Sequence, residues 1–383
     1  MALKYDFAII GAGVLGCAIA YQLAAAGRTV VVVDKEGIAG GASGGNLGQI
    51  SLVDRTEPWH MELALESLRE YKTLEEKYKF GFRQTGGCVL LSNDAQVSRA
   101  ESVKSILGEY GVSSELLRKK KAQAMEPMLD VKRVKGLYYC AEEGMLEPLQ
   151  VTFLFQEMAS RYGVQFRSGE ALLGFDMTGG VIEKARTTAG TLAADCFINC
   201  AGGWAGDVAN LAGEAIPVCH HRGTAMVSQA VPRLLRTTLV GGGFLMGNAA
   251  GPRPSLHIGT ALCQQENGTI LMAQATEESP ADSRAVSVAG ITGIGANLLA
   301  YFPGFKQLDV LRVWAVSTAF SADGNPVFGK HQGLDNLFTF AGFKGAFTTA
   351  PAVARKAATL LLYGNNNLPD LAPGPERKIN HVD

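Results

Sequence analysis

The sequence predicts an α/β fold in two parts: a mostly parallel sheet flanked by helices, and a second, α+β domain built on an antiparallel sheet. Three observations predict it. Tyr5 to Asp34, YDFAIIGAGVLGCAIAYQLAAAGRTVVVVD, reads as strand, glycine turn, helix and strand. Two later stretches, Asp195 to Trp204 and Leu337 to Tyr363, again run a buried strand into glycines, and the second continues into a helix. Ile216 to Ala275 is instead strand-rich, with turn signals at Gly241-Gly-Gly, Gly251-Pro and Glu266-Asn-Gly-Thr. The first pattern returns after each interruption. Residues 1–85, 145–215 and 320–383 therefore form a discontinuous, Rossmann-like nucleotide-binding domain, and 86–144 with 216–319 form the second, substrate domain.

In the opening stretch the strand is Phe7 to Ile10. Gly11, Gly13 and Gly16 form G-x-G-x-x-G and supply a tight turn, close approach of a pyrophosphate to bare backbone, and close packing of helix on strand. Ala20, Leu23 and Ala24 keep the sheet-facing side of the helix small and apolar. Its free N–H groups and the positive end of its dipole, roughly half a charge, face the phosphates. Gly27 stops the helix, Thr29 to Val33 is β-branched as a buried parallel strand should be, and Asp34 ends that strand, where its carboxylate can accept the hydroxyls of an adenosine ribose. Phe7 to Gly27 also mimics a signal peptide or membrane span, but glycine spacing and a charged strand end fit neither.

The 383 residues suffice for two or three domains, and a formal charge of −1 implies neither nucleic acid nor an anionic membrane as partner. Arg118 to Lys121 is too short a basic run to change that. The 46 glycines are scattered among apolar runs, as in a fold full of tight turns. Seven cysteines show no C-x-x-C and no zinc spacing, which suggests a reducing cytoplasm. Cys196 and Cys200 share a strand face and read as core thiols. Cys219-His220-His221 alternates faces in an extended segment and makes a poor metal site, so no metal is expected.

After Asp34, Gly37 to Ser51 (GIAGGASGGNLGQIS) offers backbone N–H groups with the short side chains of Ser43 and Asn46, suited to a second wrap around a pyrophosphate. Pro58 to Tyr78 has apolar residues at helical spacing, Leu65, Leu68, Tyr71, Leu74 and Tyr78, and reads as a purely structural amphipathic helix. Gly87 to Ser92 is a strand, and Ala95 to Glu109 and Val151 to Tyr162 are helices. Val164-Gln-Phe and Val181 to Arg186 are candidate strands of a small sheet. The strand ending in Ala201-Gly202-Gly203 belongs beside the first glycine turn, at the carboxyl edge where ligands bind. A helix from Val286 to Phe302, a strand from Leu311 to Val316 and the turn Ala322 to Gly329 precede the closing strand, Gly342-Phe-Lys-Gly345 and a helix from about Thr348.

Four of these stretches together resemble the flavin-dependent oxidoreductases related to D-amino acid oxidase, glycine oxidase and sarcosine oxidase. They are the opening fingerprint, the GASGGN segment from Gly41, Ala201-Gly-Gly-Trp204, and Asp323-Gly-Asn-Pro326 through Gly329 followed by Gly342 to Pro351. The resemblance implies FAD, non-covalently held because no histidine or cysteine matches an attachment site. It implies cofactor contacts at Gly11, Gly13, Gly16, Asp34, Ser43, Asn46, Ala201, Gly202, Gly342, Lys344, Gly345 and Thr348. Asp34 stands where these proteins more often carry glutamate. The implied reaction is oxidation of an amine or amino acid by hydride transfer to flavin N5, giving an imine that hydrolyses. Lys344 and the final helix N-terminus are then the candidates for stabilising negative charge on the reduced ring.

One departure bears on the substrate. Several amino acid oxidases of this family carry a carboxylate-binding arginine before the Asp-Gly-x-Pro turn, and this chain has Thr318 there. Thr318 and Lys344 are therefore the candidate reaction-site residues. A substrate carboxylate needs a partner from Arg222, His257, Arg312 or Lys344. The leading expectation is C–N oxidation of a small amino acid, imino acid or secondary amine, with oxygen or a protein as electron acceptor. The alternatives are the flavin subunit of an opine- or proline-type dehydrogenase, with a second subunit or homo-oligomer, and a 2-hydroxy acid oxidoreductase on the same fold.

Overall fold

The computed structural model describes residues 4–246, 255–278, 283–321 and 324–364. The Gly251-Pro turn and Asp323 lie outside these. Helices and two eight-stranded sheets dominate the described residues.

The first sheet runs Val327–Lys330, Leu337–Ala341, Gly190–Asn199, Lys4–Ile10, Val30–Asp34 and Gln165–Ser168. Its neighbours are parallel except at the hairpin of the first two. Lys4–Ile10 lies at its centre, with Phe7 opposite Cys196 on one side and Val30 on the other. A strand with both faces covered can be apolar at every position, which is why Ile9, Val31, Val32 and Val33 are all buried. The two candidate strands of a small sheet separate. Gln165–Ser168 extends the parallel sheet beside Val30–Asp34, because the helix Pro148–Arg161 packs on Val14–Ala25 and returns the chain there. Val181–Thr187 instead forms a hairpin with Leu172–Thr178 and pairs with the start of Gly190–Asn199.

Helix Val14–Ala25 buries nearly every side chain, Cys17, Ile19 and Leu23 included. It shows little amphipathic character because it is covered by the sheet and also by Pro148–Arg161 and Ala346–Tyr363. Two of its glycines are fixed by space. Gly11 has φ +109°, and a Cβ there would sit 2.4 Å from the Cys200 carbonyl oxygen; one at Gly16 would sit 1.9 Å from the Gly11 oxygen. Gly16 thus serves helix packing, as expected, and Ala201–Gly203 does lie beside the glycine turn.

The second sheet runs Val310–Ser321, Val218–Ser228, Ile270–Glu278, Leu256–Gln264, Thr238–Gly241, Gly87–Leu91, Gly136–Cys140 and Ser114–Leu117. Only the join between Thr238–Gly241 and Gly87–Leu91 is parallel. Strands from before and after the middle of the chain therefore share one sheet, and Leu239, Leu262, Met272 and Phe302 fill its own core with helix Val288–Tyr301. Helix Pro58–Tyr78 has the expected bounds and buries Met61, Ala64, Leu68 and Tyr71. Asn93 caps Asp94–Glu109 by accepting the Gln96 N–H at 2.9 Å. No described helix is long and apolar enough to cross a membrane.

Gly16→Ala is expected to lower stability by about 2 kcal/mol or more, since backbone must move to admit the methyl group. Gly108→Ala, in open space on helix Asp94–Glu109, is expected to raise it by roughly 0.5–1 kcal/mol. Urea unfolding of both variants checks the contrast.

Candidate active site

The carboxyl ends of the parallel strands and one face of the second sheet enclose a cleft of about 2180 Å³. Typical small-ligand pockets hold roughly 300–1,000 Å³, so this one has room for a dinucleotide and a substrate beside it. Every expected cofactor contact except Gly16 lines it, as does Thr318.

At one end Gly13 presents bare backbone, since a Cβ there would meet only Ser43 Oγ, at 3.1 Å. Ser43 Oγ in turn accepts the Val14 N–H at 3.0 Å, acting as a cap from a distant loop for a helix whose own N-cap is glycine. Asp34 is busier than the sequence suggests. Its Oδ2 accepts the Ala12 N–H at 2.8 Å, and its Oδ1 accepts the N–H groups of Glu36 and Gly37 at 2.8 and 2.9 Å. The carboxylate therefore fastens the glycine turn to the strand end, and its unused acceptor capacity is what remains for a ribose. Lys35 lies 3.9 Å over the Trp204 ring and closes that end.

The middle of the cleft is where the two sheets meet. Trp314 Nε1 donates to the Gly45 carbonyl at 3.0 Å, and a Cβ on Gly45 would lie 2.4 Å from Val316 Cγ1. Strand Val310–Ser321 thus rests directly on the glycine-rich segment. Asn46 Oδ1 holds the Gly48 N–H at 2.8 Å, which shapes this segment from within. Beside it, His220 bridges Asp207 and Ser317 at 3.0 and 3.1 Å. It fastens helix Ala205–Asn210, which follows directly on the turn Gly202–Trp204, to the second sheet. Among the described residues no group of three His, Cys, Asp or Glu is placed to hold a metal, and all seven cysteines are free.

At the other end the closing helix, Ala346–Tyr363, starts two residues earlier than expected and points its N-terminus into the cleft from Gly345. Thr348 Oγ1 accepts the Ser51 N–H at 3.3 Å, and Tyr71 donates to the Phe347 carbonyl at 2.8 Å. Here the structure assembles a charged cluster that the sequence reading missed. Lys344 Nζ and Arg55 Nη1 each lie 3.1 Å from Asp54 Oδ2, with Arg55 2% and Asp54 5% exposed. Burial would raise the Asp54 carboxyl, but the Arg55 and Lys344 charges hold it well below the usual carboxylate range. His60, stacked on Trp59, is driven down to about 3 by burial and by the Arg55 charge, so it is neutral at physiological pH. Helix Pro58–Tyr78 is therefore more than structural, because its first turn lines the cleft. The available signal was the pair Asp54-Arg55 directly after the apolar Leu52-Val53, since charges next to buried residues are rarely buried without a partner.

Two carboxylate-binding candidates are corrected. Arg222 pairs with Glu277 at 3.0 Å and does not line the cleft, and Arg312 lies exposed outside it. Strand alternation turns Arg222 to the face opposite His221 and Gly223, whereas Arg312 shares the face of Val316 and Thr318 but sits at the exposed start of its strand. His257 and Lys344 line the cleft. Thr318 also faces it, with its hydroxyl donated to the His221 carbonyl at 2.8 Å.

A family model described as DAO, FAD dependent oxidoreductase, matches residues 6–360. The chain belongs to this family. It is an FAD-dependent oxidoreductase with a Rossmann-like fold, and FAD is its cofactor. The bare backbone at Gly13, the two helix N-termini and the length of the cleft fit that group. The chain is similar to glycine oxidase of Geobacillus kaustophilus, 25% identical with 94% of each chain covered. It is similar to hydrogen cyanide synthase subunit HcnC of Pseudomonas aeruginosa, 26% identical over 96% of this chain and 95% of the relative. The crystal structure of L-proline dehydrogenase from P. horikoshii superposes with a TM-score of 0.87, 25% identity and 96% of each chain covered. The chain spans only 41% of the mouse mitochondrial pyruvate dehydrogenase phosphatase regulatory subunit, at 23% identity.

Glu143 lies behind the cluster, its Oε1 accepting the Leu52 and Val53 N–H groups at 2.6 and 2.9 Å. Burial pushes its carboxyl up to about 7 despite those hydrogen bonds. The folded state thus holds this proton more tightly than the unfolded chain, so the stability it contributes below about pH 4.5 is lost as pH rises through 7. Glu143→Gln keeps the Oε1 acceptor and should remove this dependence. Unfolding free energies at about pH 5 and pH 8 are expected to differ by on the order of 3 kcal/mol more in the wild type than in the variant.

Proposed function

We propose that this enzyme oxidises a carbon–nitrogen bond of a small amino acid, imino acid or secondary amine, releasing an imine that water hydrolyses. FAD, when bound, supplies the two-electron acceptor by taking hydride at N5 from the carbon next to nitrogen. The observation that carries the reading is the position of the Asp54–Arg55–Lys344 cluster. It stands at the far end of the cleft from Asp34, at a helix N-terminus, with Lys344 Nζ 5.7 Å from the ring of Phe244, in the short helix Gly243–Met246 that follows a strand of the second sheet. A dinucleotide anchored at Asp34 and Gly13 would reach toward this end, leaving a substrate between the closing helix and the second sheet. Glycine oxidase and L-proline dehydrogenase, two proteins of similar sequence and fold, support an amino- or imino-acid substrate.

The roles proposed for the chain's own residues follow from their places. Gly11, Gly13 and the start of helix Val14–Ala25 receive the pyrophosphate, with Asp34 at the ribose and Ser43, Asn46, Ala201 and Gly202 along the middle. Gly342 and Gly345 bring backbone N–H groups to the ring end, and Thr348, whose own N–H donates to the Gly345 carbonyl, stands beside them. Two cations against one carboxylate leave net positive charge there, and Lys344 favours negative charge building up on a group at that helix end. Thr318 shapes the opposite wall. Hydride transfer needs the reacting carbon held in place more than it needs a strong base, and a neutral His60 suits that requirement.

HcnC is by its name a subunit and matches this chain over nearly its whole length, which supports a second reading in which a partner chain takes the electrons. The two readings differ in the electron acceptor and share the substrate chemistry.

The protein should purify yellow, and acid or heat should release the flavin into the supernatant. A panel of amino acids, imino acids, secondary amines and 2-hydroxy acids, mixed anaerobically with it, is expected to show bleaching by a nitrogen compound. Bleaching by hydroxy acids alone would overturn the C–N assignment. Admission of air then separates an oxidase, recolouring at once, from a dehydrogenase that stays pale. Lys344→Met should retain FAD and slow the bleaching roughly tenfold.

A further inference from the structure

The second sheet brings to the cleft a graded wall, apolar at one end and anionic at the other, that oxidation of a simple amine does not require. We propose that the part running from Ala273 to Glu278 binds a second arm of the substrate, one that ends in a guanidinium or ammonium group. This names the substrate class for the C–N reading above and rests on it for the amine that is oxidised.

The wall is built in rows across paired strands. Val240, Ala261, Ala273 and Ala225 stand side by side on four neighbouring strands, all line the cleft, and none is more than 8% exposed. Three alanines in register leave a shallow apolar trough that methylene groups can fill. Further along the strands the next row is polar, with Thr276 beside His257, and the one after it sets Glu278 opposite His221.

In a regular strand Ala273 and Thr276 would point to opposite faces, because they are three residues apart. They share the cleft face because the pairing slips on both sides of Ile270–Glu278, between Thr224 and Ala225 and between Ile258 and Ala261. The slip is a bulge at Gln274, and it turns that side chain into the cleft beside its neighbours. A Cβ on Gly259 would lie 3.2 Å from Gln274 Cγ and 3.8 Å from His257 Nε2, so bare backbone makes room for the amide. Gln274 Nε2 donates to Thr276 Oγ1 at 3.2 Å, and among the described residues nothing donates to Gln274 Oε1.

Glu278 likewise makes no side-chain hydrogen bond or ion pair among the described residues. It is the one acid that the strands of this sheet bring to the cleft, among those residues, and they bring no lysine or arginine. Two open acceptors on one strand, a neutral oxygen and a carboxylate, call for a ligand rich in donors. Thr276 and Glu278 lie roughly 7 Å apart along the strand, a gap that a guanidinium with donors on both sides can bridge. An exposed carboxylate attracts weakly by itself. Set in a cleft, at the end of a trough that orders the arm leading to it, its field is focused on the arm's end.

The test is calorimetric titration of the FAD-loaded enzyme, without oxygen, with 4-guanidinobutanoate and with heptanoate. These probes share length and carboxylate and differ in the cationic end. The guanidino acid is expected to bind at least roughly tenfold more tightly. Gln274→Ala and Glu278→Gln should each reduce that ratio roughly three- to tenfold, with FAD content and melting temperature held. The proposal is overturned if the wild type binds neither probe, or binds heptanoate as tightly as the guanidino acid, results that need no variant to fold. It is also overturned if the ratio is unchanged in either variant. Binding needs no turnover, so the two readings fail separately. A ratio that falls in Glu278→Gln, in an enzyme that no nitrogen compound bleaches, leaves the subsite standing and removes the C–N reading. Bleaching by alanine or proline, with equal binding of the two probes, does the reverse.

Discussion

The approach of two backbones, at Gly11 and at Cys200, is the constraint on which the cleft depends. Their separation is so small that a single methyl group on Gly11 would enter the Cys200 carbonyl. Because of it, the central strand and its neighbour Gly190–Asn199 end at the same level, and the turns leaving them form one continuous floor. Gly16 against the Gly11 oxygen then presses the first helix down on that floor, so the helix N-terminus points along the cleft. A looser crossing would tilt the helix and scatter its N–H groups.

The remaining walls are fastened to this floor by polar contacts from distant parts of the chain. Ser43 caps the first helix, Asp34 ties the strand end to the glycine turn, and Trp314 holds the Gly45 carbonyl from the second sheet. Each contact satisfies a backbone group that would otherwise be stranded at the edge of a large cavity. The same residues that look like ligand contacts in the sequence are therefore also structural fasteners. Asp34 shows this most plainly, with three backbone donors on one carboxylate.

At the far end the chain sets aside ordinary economy of charge. Asp54, Arg55 and Lys344 set two positive groups against one negative, with Asp54 and Arg55 buried and Lys344 open to the cleft, next to a helix end of the same sign as the cations. Such an arrangement is unfavourable in the absence of an anion. It is tolerated where a ligand's charge completes it, which is how strained electrostatics come to mark functional sites.

The sequence by itself determined the central strands of the first sheet, the glycine-turn end of the cleft and the family, because those depend on local rules. Glycine spacing, β-branched runs and a terminal acid each act within about thirty residues, and they put Gly11, Gly13 and Asp34 in the cleft without reference to the rest. The closing strand and helix were legible for the same reason. Only the tertiary structure decided what stands at the substrate end. Asp54 and Arg55 meet Lys344 across almost three hundred residues of chain, and Arg222 is withdrawn by its pairing with Glu277. Whether a charged side chain faces a cavity or a salt bridge is set by strand register and by which segments pack together. Those are long-range choices that leave no periodic mark in the sequence.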